Sequence, residues 1–178
     1  MLTTRDVSIV AALTALYVVV GSVSSYTLRT ATRSADLFFL ISALFAILVV
    51  VVGKPWTATL LGTTSGLIFL LFLLTPIPFP PHVAAALVVN GLVFDGYLKV
   101  INRDNRTSPS RSQIVVAASL GSLAMAAVVL ALFEALGTIL PLTIWVIALI
   151  TDVLIGALGG FFGIIVARRL RPAGVVRT

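Results

Sequence analysis

The sequence contains no cysteine, and only 10% of its 178 residues are charged. The absence of cysteine excludes a disulfide, a thiolate metal site and a cysteine nucleophile. The single histidine, His82, has no second metal ligand three or four residues away. It is therefore a poor metal candidate, and we predict that the protein holds neither a metal nor a cofactor.

Hydrophobic residues make up 60% of the chain, and its mean hydropathy is +1.18. A soluble domain of this size needs more polar surface to face water. Apolar runs close to the length of a bilayer span recur along the chain without a period-two alternation, so we predict an all-α membrane protein. No small-x-small cleavage site follows Arg5 and the first apolar run, which we expect to be retained. The six predicted segments are residues 7–26, 37–52, 56–74, 82–101, 113–136 and 142–167.

The positive charges predict how these segments are oriented. With both termini on one side, ten of the twelve Lys and Arg residues fall in inner segments, and only Arg29 and Arg33 fall in outer ones. Such a bias in short loops places both termini in the cytoplasm of a multi-pass protein in the cell membrane. We therefore predict a compact bundle of six transmembrane helices over residues 1–167, followed by a basic cytoplasmic tail, 168–178. Because the charges are spread over short segments, no contiguous basic face remains for nucleic acid.

Two polar residues lie deep within predicted spans. An ionisable side chain near the bilayer centre costs about 2.5–3.5 kcal/mol on insertion scales, so each such residue needs a reason. Asp152 lies about ten residues into the last span, near the midplane, and it either hydrogen-bonds another helix or serves a ligand or a proton. Asn90 lies about a third of the way along the fourth span. It either joins helices or faces a substrate.

Three other polar residues lie near the ends of predicted spans. Asp95 precedes Lys99 by four residues, which predicts a structural ion pair within one helix. Glu134, near the outer boundary, is expected to meet headgroups or to pair with Arg29 or Arg33. His82 follows a proline-rich turn, where an interfacial position explains it.

The sequence does not predict an enzyme. It has no H-E-x-x-H motif, no serine elbow and no pair of carboxylates spaced to share one helix face. The glycines at positions 156, 159, 160 and 163 do not form a phosphate loop, because no Lys-Ser/Thr follows and no strand precedes them. They indicate close helix packing instead, as do Gly62 and Gly66, four residues apart.

The first span carries the residues Val10-Ala11-Ala12-Leu13-Thr14-Ala15-Leu16-Tyr17. With six compact spans and both termini inside, the chain resembles the substrate-binding S component of energy-coupling factor (ECF) vitamin transporters. In that family an A-x-x-x-A motif in the first helix docks on the transmembrane coupling subunit, and Ala11 and Ala15 match it. Alanines four residues apart form a flat strip that allows close approach.

The resemblance implies that a small water-soluble vitamin or related micronutrient binds toward the outer side. It further implies that transport depends on separate ATPase and coupling subunits, since no Walker motif occurs here. Arg29 and Arg33 suit a ligand carboxylate or phosphate, or equally the phosphates of membrane lipids. The substrate-binding residues implied by position, together with the 76–81 turn, are Tyr26, Arg29, Arg33, His82, Asn90, Glu134 and Asp152.

Two other classes of function stay open from the sequence. One is a self-sufficient small transporter or channel that uses Asp152 or Asp95 as a proton or ion site. The other is an intramembrane enzyme, or a scaffold without a ligand. An inverted repeat would favour the transporter, but the acids and the basic loop of the second half have no counterparts in the first half.

Overall fold

A computed structural model describes residues 2–27, 35–71, 81–102 and 108–170. Within these residues every regular element is a helix, which confirms the predicted all-α class. The bounds are α1 Thr4–Thr27, α2 Ala35–Val51, α3 Thr57–Leu71, α4 Pro81–Ile101, α5 Arg111–Ala135 and α6 Leu142–Leu170. Each helix falls on one of the six predicted segments, and α6 continues to Leu170, past the predicted start of the tail at residue 168.

Four of these helices are long and apolar enough to cross a membrane, which indicates a membrane protein. They are Thr4–Ser24, His82–Ile101, Arg111–Ala135 and Leu142–Leu170. The other two, α2 and α3, have 17 and 15 residues. A span needs about 20 residues, with a lower limit of about 17. Six crossings and the side on which each terminus lies therefore stay predictions.

The helices form a bundle in which α6 packs between α2 and α5. From α5 the contacts continue through α4 and α3 to α1, while α2 also touches α1, α3 and α5. Polar side chains join helices that are distant in sequence: the Thr14 and Thr64 hydroxyls are 3.1 Å apart, and those of Ser42 and Ser122 are 3.0 Å apart. The apolar core includes the ring pair Phe45–Phe94, with centroids 5.4 Å apart.

Glycines set the spacing of α6 against its neighbours. A Cβ at Gly163 would lie 2.3 Å from the carbonyl oxygen of Ala43 on α2, and one at Gly156 would lie 2.4 Å from Oγ of Ser122 on α5. A Cβ at Gly62 on α3 would lie 2.4 Å from the carbonyl oxygen of Leu87 on α4. Both glycine patterns therefore act in helix packing, as the sequence predicted.

Two local structures shape the end of the bundle where α2 and α4 finish. Between α2 and α3 the chain turns through Gly53 (φ 65°) and Trp56 (φ 66°). Only glycine adopts this region at no steric cost, so Trp56 is held there against its preference. At the start of α5, Ser110 accepts a hydrogen bond from Gln113 N–H, and Gln113 accepts one from Ser110 N–H. This capping box fixes where α5 begins.

We predict that Gly163→Ala destabilises the bundle, because its Cβ cannot be placed without moving the backbone of α2. The expected loss is about 1–3 kcal/mol, typical of an overpacked contact. The measurement is the thermal unfolding midpoint of purified protein in detergent.

Gly96→Ala is the matched control, since a Cβ there has nothing within 4 Å. In a helix this change is expected to be neutral or to stabilise by up to about 1 kcal/mol. Equal midpoints for the two variants would contradict the close contact between α2 and α6.

Candidate functional site

A cavity of about 700 Å³ opens at one end of the bundle. The walls come from the ends of α2, α4 and α6, from the turn before α3 and from the start of α5. We call this the basic end, because four cationic side chains of the described residues line the cavity: Lys54, Lys99, Arg111 and Arg168. The predicted ligand site lies toward the opposite end of the bundle, so this cavity was not predicted.

Among the described residues that line the cavity, Asp95 is the only acid. Its carboxylate accepts hydrogen bonds from the backbone N–H and the hydroxyl of Thr59, at 2.7 and 2.8 Å. Thr59 lies in the first turn of α3, where backbone N–H groups have no partner within the helix. A carboxylate at this position also meets the positive end of the helix dipole. Asp95 therefore joins α4 to the start of α3.

The predicted ion pair between Asp95 and Lys99 is wrong. The Lys99 ammonium instead lies 4.9 Å from the centroid of the Trp56 ring, a cation–π contact. The reason is tertiary: α3 offers the carboxylate two hydrogen bonds, and the turn before α3 offers the ammonium an aromatic face. Spacing along one helix carries no information about either partner.

Lys54 lies on the same side of the bundle and binds the first helix. Its ammonium is 2.5 Å from Oδ2 of Asp6. The Asp6 carboxylate also accepts hydrogen bonds from the backbone N–H and the hydroxyl of Thr3, each at 2.7 Å. One carboxylate thus holds the start of α1 to the turn that follows α2.

Asn90 is fully buried between α4 and α5. Its amide nitrogen lies 3.3 Å from the Met125 sulfur, and its Oδ1 lies 2.3 Å from where a Cβ at Gly121 would be. Within the part of the chain that the structure describes, Oδ1 has no hydrogen-bond partner. The side chain fills a helix contact here, and a ligand role for Asn90 stays a prediction.

Asp152 is half-buried on α6. It lies one helical turn before Gly156 and on the same face, and Gly156 contacts Ser122 of α5. None of the residues described by the structure hydrogen-bonds to this carboxylate. The buried residues of α6 begin only at Gly156, so Asp152 lies where the close packing of α6 ends.

At the end of the bundle opposite the cavity, two predicted site residues have partners. Glu134 is exposed and accepts a hydrogen bond of 2.8 Å from the Trp145 indole N–H, joining α5 to α6. The His82 ring packs on Phe133, with centroids 4.6 Å apart. Arg29, Arg33 and residues 72–80 lie outside the described residues, as does the side chain of Tyr26.

The two alanines of the predicted docking motif lie on the surface of α1. Ala11 and Ala15 are exposed, whereas Thr14 and Tyr17, on an adjoining face of the helix, are only 4% and 1% exposed. The Thr14–Thr64 contact and the Tyr17–Phe69 ring contact, 5.6 Å between centroids, fix this rotation of the helix. The motif is therefore presented outward.

The four cavity-lining cations were missed as a group. In the sequence these cations lie at the ends of apolar runs. That position was used to predict the orientation of the chain but not to predict a site. Among the described residues no three His, Cys, Asp or Glu side chains cluster closely enough to hold a metal ion. No family model, curated protein or solved structure matches this chain.

Proposed function

We propose that this chain is the membrane-embedded substrate-binding subunit of a vitamin or micronutrient importer, similar to the S component of ECF transporters. It would cross the membrane six times with both termini in the cytoplasm and capture a small water-soluble ligand from the outer side. Separate coupling and ATPase subunits would then drive transport.

The observation that carries this proposal is the outward position of Ala11 and Ala15. The contacts of Thr14 and Tyr17 turn an adjoining face of α1 into the bundle, and Ala11 and Ala15 stay exposed within the described residues. Around it, Leu16 and Val19 are 46% and 61% exposed. Small side chains flanked by apolar ones allow the close approach of another transmembrane helix, which is what docking on a coupling subunit requires.

Asp152 supports the ligand half of the proposal. In an apolar helix, a half-buried carboxylate that lacks a hydrogen-bond partner among the described residues carries a free-energy cost. Polar groups of a bound micronutrient would satisfy it.

The same carboxylate is what supports the alternative, a self-sufficient proton- or ion-coupled transporter. The second acid considered for that role, Asp95, is already hydrogen-bonded to the start of α3. Its two hydrogen bonds to Thr59 give it a structural reason to be there, so the alternative now rests on Asp152 alone.

We predict that Ala11→Leu and Ala15→Leu abolish copurification with an ATPase pair and its coupling subunit. A leucine at either position would hold the partner helix away from the strip. The measurement is recovery of the partner subunits on a tagged chain coexpressed with candidate coupling and ATPase subunits.

Ala85→Leu is the matched control, because Ala85 is an exposed alanine on α4. It should leave copurification intact. If Ala85→Leu reduced recovery as much as the two α1 variants, the strip would have no specific role in docking.

We predict that one water-soluble vitamin raises the unfolding midpoint of the purified chain, by mass action on the folded state. Asp152→Asn should reduce that shift, since it removes the charge that the ligand is expected to meet. The measurement is a thermal-shift screen of vitamins in detergent.

Asp95→Asn is the control for loss of an acid, and it should preserve the shift, because Asp95 serves α3. If the vitamin shifted the midpoint of Asp152→Asn as much as that of the unmodified chain, Asp152 would have only a packing role. Ion-driven uptake by the chain alone in proteoliposomes, without any vitamin response, would instead support the alternative transporter.

A further inference from the structure

The cavity at the basic end has an excess of positive charge. Of its four cations, Lys54 is paired with Asp6. Lys99, Arg111 and Arg168 are exposed, and none of them forms an ion pair with a carboxylate of the described residues. Asp95, the one acid among the described residues of the wall, accepts hydrogen bonds from Thr59. Within the residues that the structure describes, the chain therefore brings three cationic groups to one opening without supplying their counter-charge.

The start of α5 adds to this positive field. Ser110 caps the helix and Arg111 is its first residue, and both line the cavity. A helix start directs unpaired N–H groups and the positive end of the dipole toward an anion. Ser108 lines the same wall and adds a second hydroxyl donor.

Most of the remaining wall is apolar. Val49, Leu98, Ile114 and Ile164 line it, so the cavity joins a basic rim to a hydrophobic surface. About 700 Å³ lies in the range of small-molecule sites, roughly 300–1,000 Å³. Trp56, 43% exposed at the same end, is a residue type that favours the headgroup level of a bilayer.

We propose that this cavity binds a phosphate group, carried by an anionic lipid headgroup or by a soluble phosphate ester. Arg111, Arg168 and Lys99 would meet the phosphate oxygens, and the apolar wall would hold the attached carbon chain. Basic pockets between transmembrane helices bind anionic headgroups in this way. The site is separate from the ligand site around Asp152 and does not depend on the proposed function.

The test uses the full chain purified in detergent. Native mass spectrometry would compare retention of dioleoyl phosphatidylglycerol with that of dioleoyl phosphatidylcholine. In parallel, pyrophosphate would be titrated in a thermal-shift assay at constant ionic strength. We expect selective retention of the anionic lipid, a shift with pyrophosphate, or both. The first result would identify a lipid source and the second a soluble one.

Arg168→Gln and Arg111→Gln should each weaken the observed binding about fivefold, the value of one basic residue near a headgroup. Arg169→Gln is the matched control: it removes the same charge from the same turn of α6, but Arg169 does not line the cavity. Circular dichroism would confirm that all variants are folded.

Two results would overturn the proposal. One is the absence of both lipid selectivity and a pyrophosphate shift in the unmodified chain. The other is an equal loss of binding in Arg169→Gln and Arg168→Gln, which would show a diffuse surface charge in place of a site.

Discussion

Polar groups inside this bundle need hydrogen-bond partners from the chain, because apolar surroundings offer no such partners. This constraint explains several contacts between helices distant in sequence. Thr14 reaches Thr64, Ser42 reaches Ser122, and Asp95 accepts two hydrogen bonds at the start of α3. Each contact also fixes which face of a helix points inward. The outward position of Ala11 and Ala15 follows from it, and with that position the proposed docking role.

The two ends of the molecule differ in how completely the constraint is met. At the basic end the carboxylates of Asp6 and Asp95 have partners, and the cations that remain surround an open cavity. Toward the other end, the part of α6 that precedes Gly156 has no close glycine contact, and Asp152 lies there half-buried. A ligand on the Asp152 side and a phosphate at the basic end would each supply a partner that the described part of the chain does not provide. The two proposals therefore rest on the same physical argument applied to opposite charges.

The sequence was sufficient for the parts of the structure that depend on local pattern. Long apolar runs gave the six helices, and glycines four residues apart gave the close contacts of α3 and α6. It was insufficient wherever a partner comes from another helix. Lys99 lies four residues from Asp95, yet each side chain finds its contact on α3 or the turn before it. The cavity has the same origin, since four cations from separate parts of the chain meet only once the helices are packed.

The proposed function depends most on an even number of membrane crossings with both termini in the cytoplasm. Because the chain has no cysteine, single cysteines can be introduced by Leu2→Cys, Thr138→Cys and Arg169→Cys and labelled in intact cells with a membrane-impermeant maleimide. We predict that position 138 reacts from outside, whereas positions 2 and 169 react only after the membrane is permeabilised. Labelling of position 169 but not position 2 in intact cells would place the termini on opposite sides and contradict it.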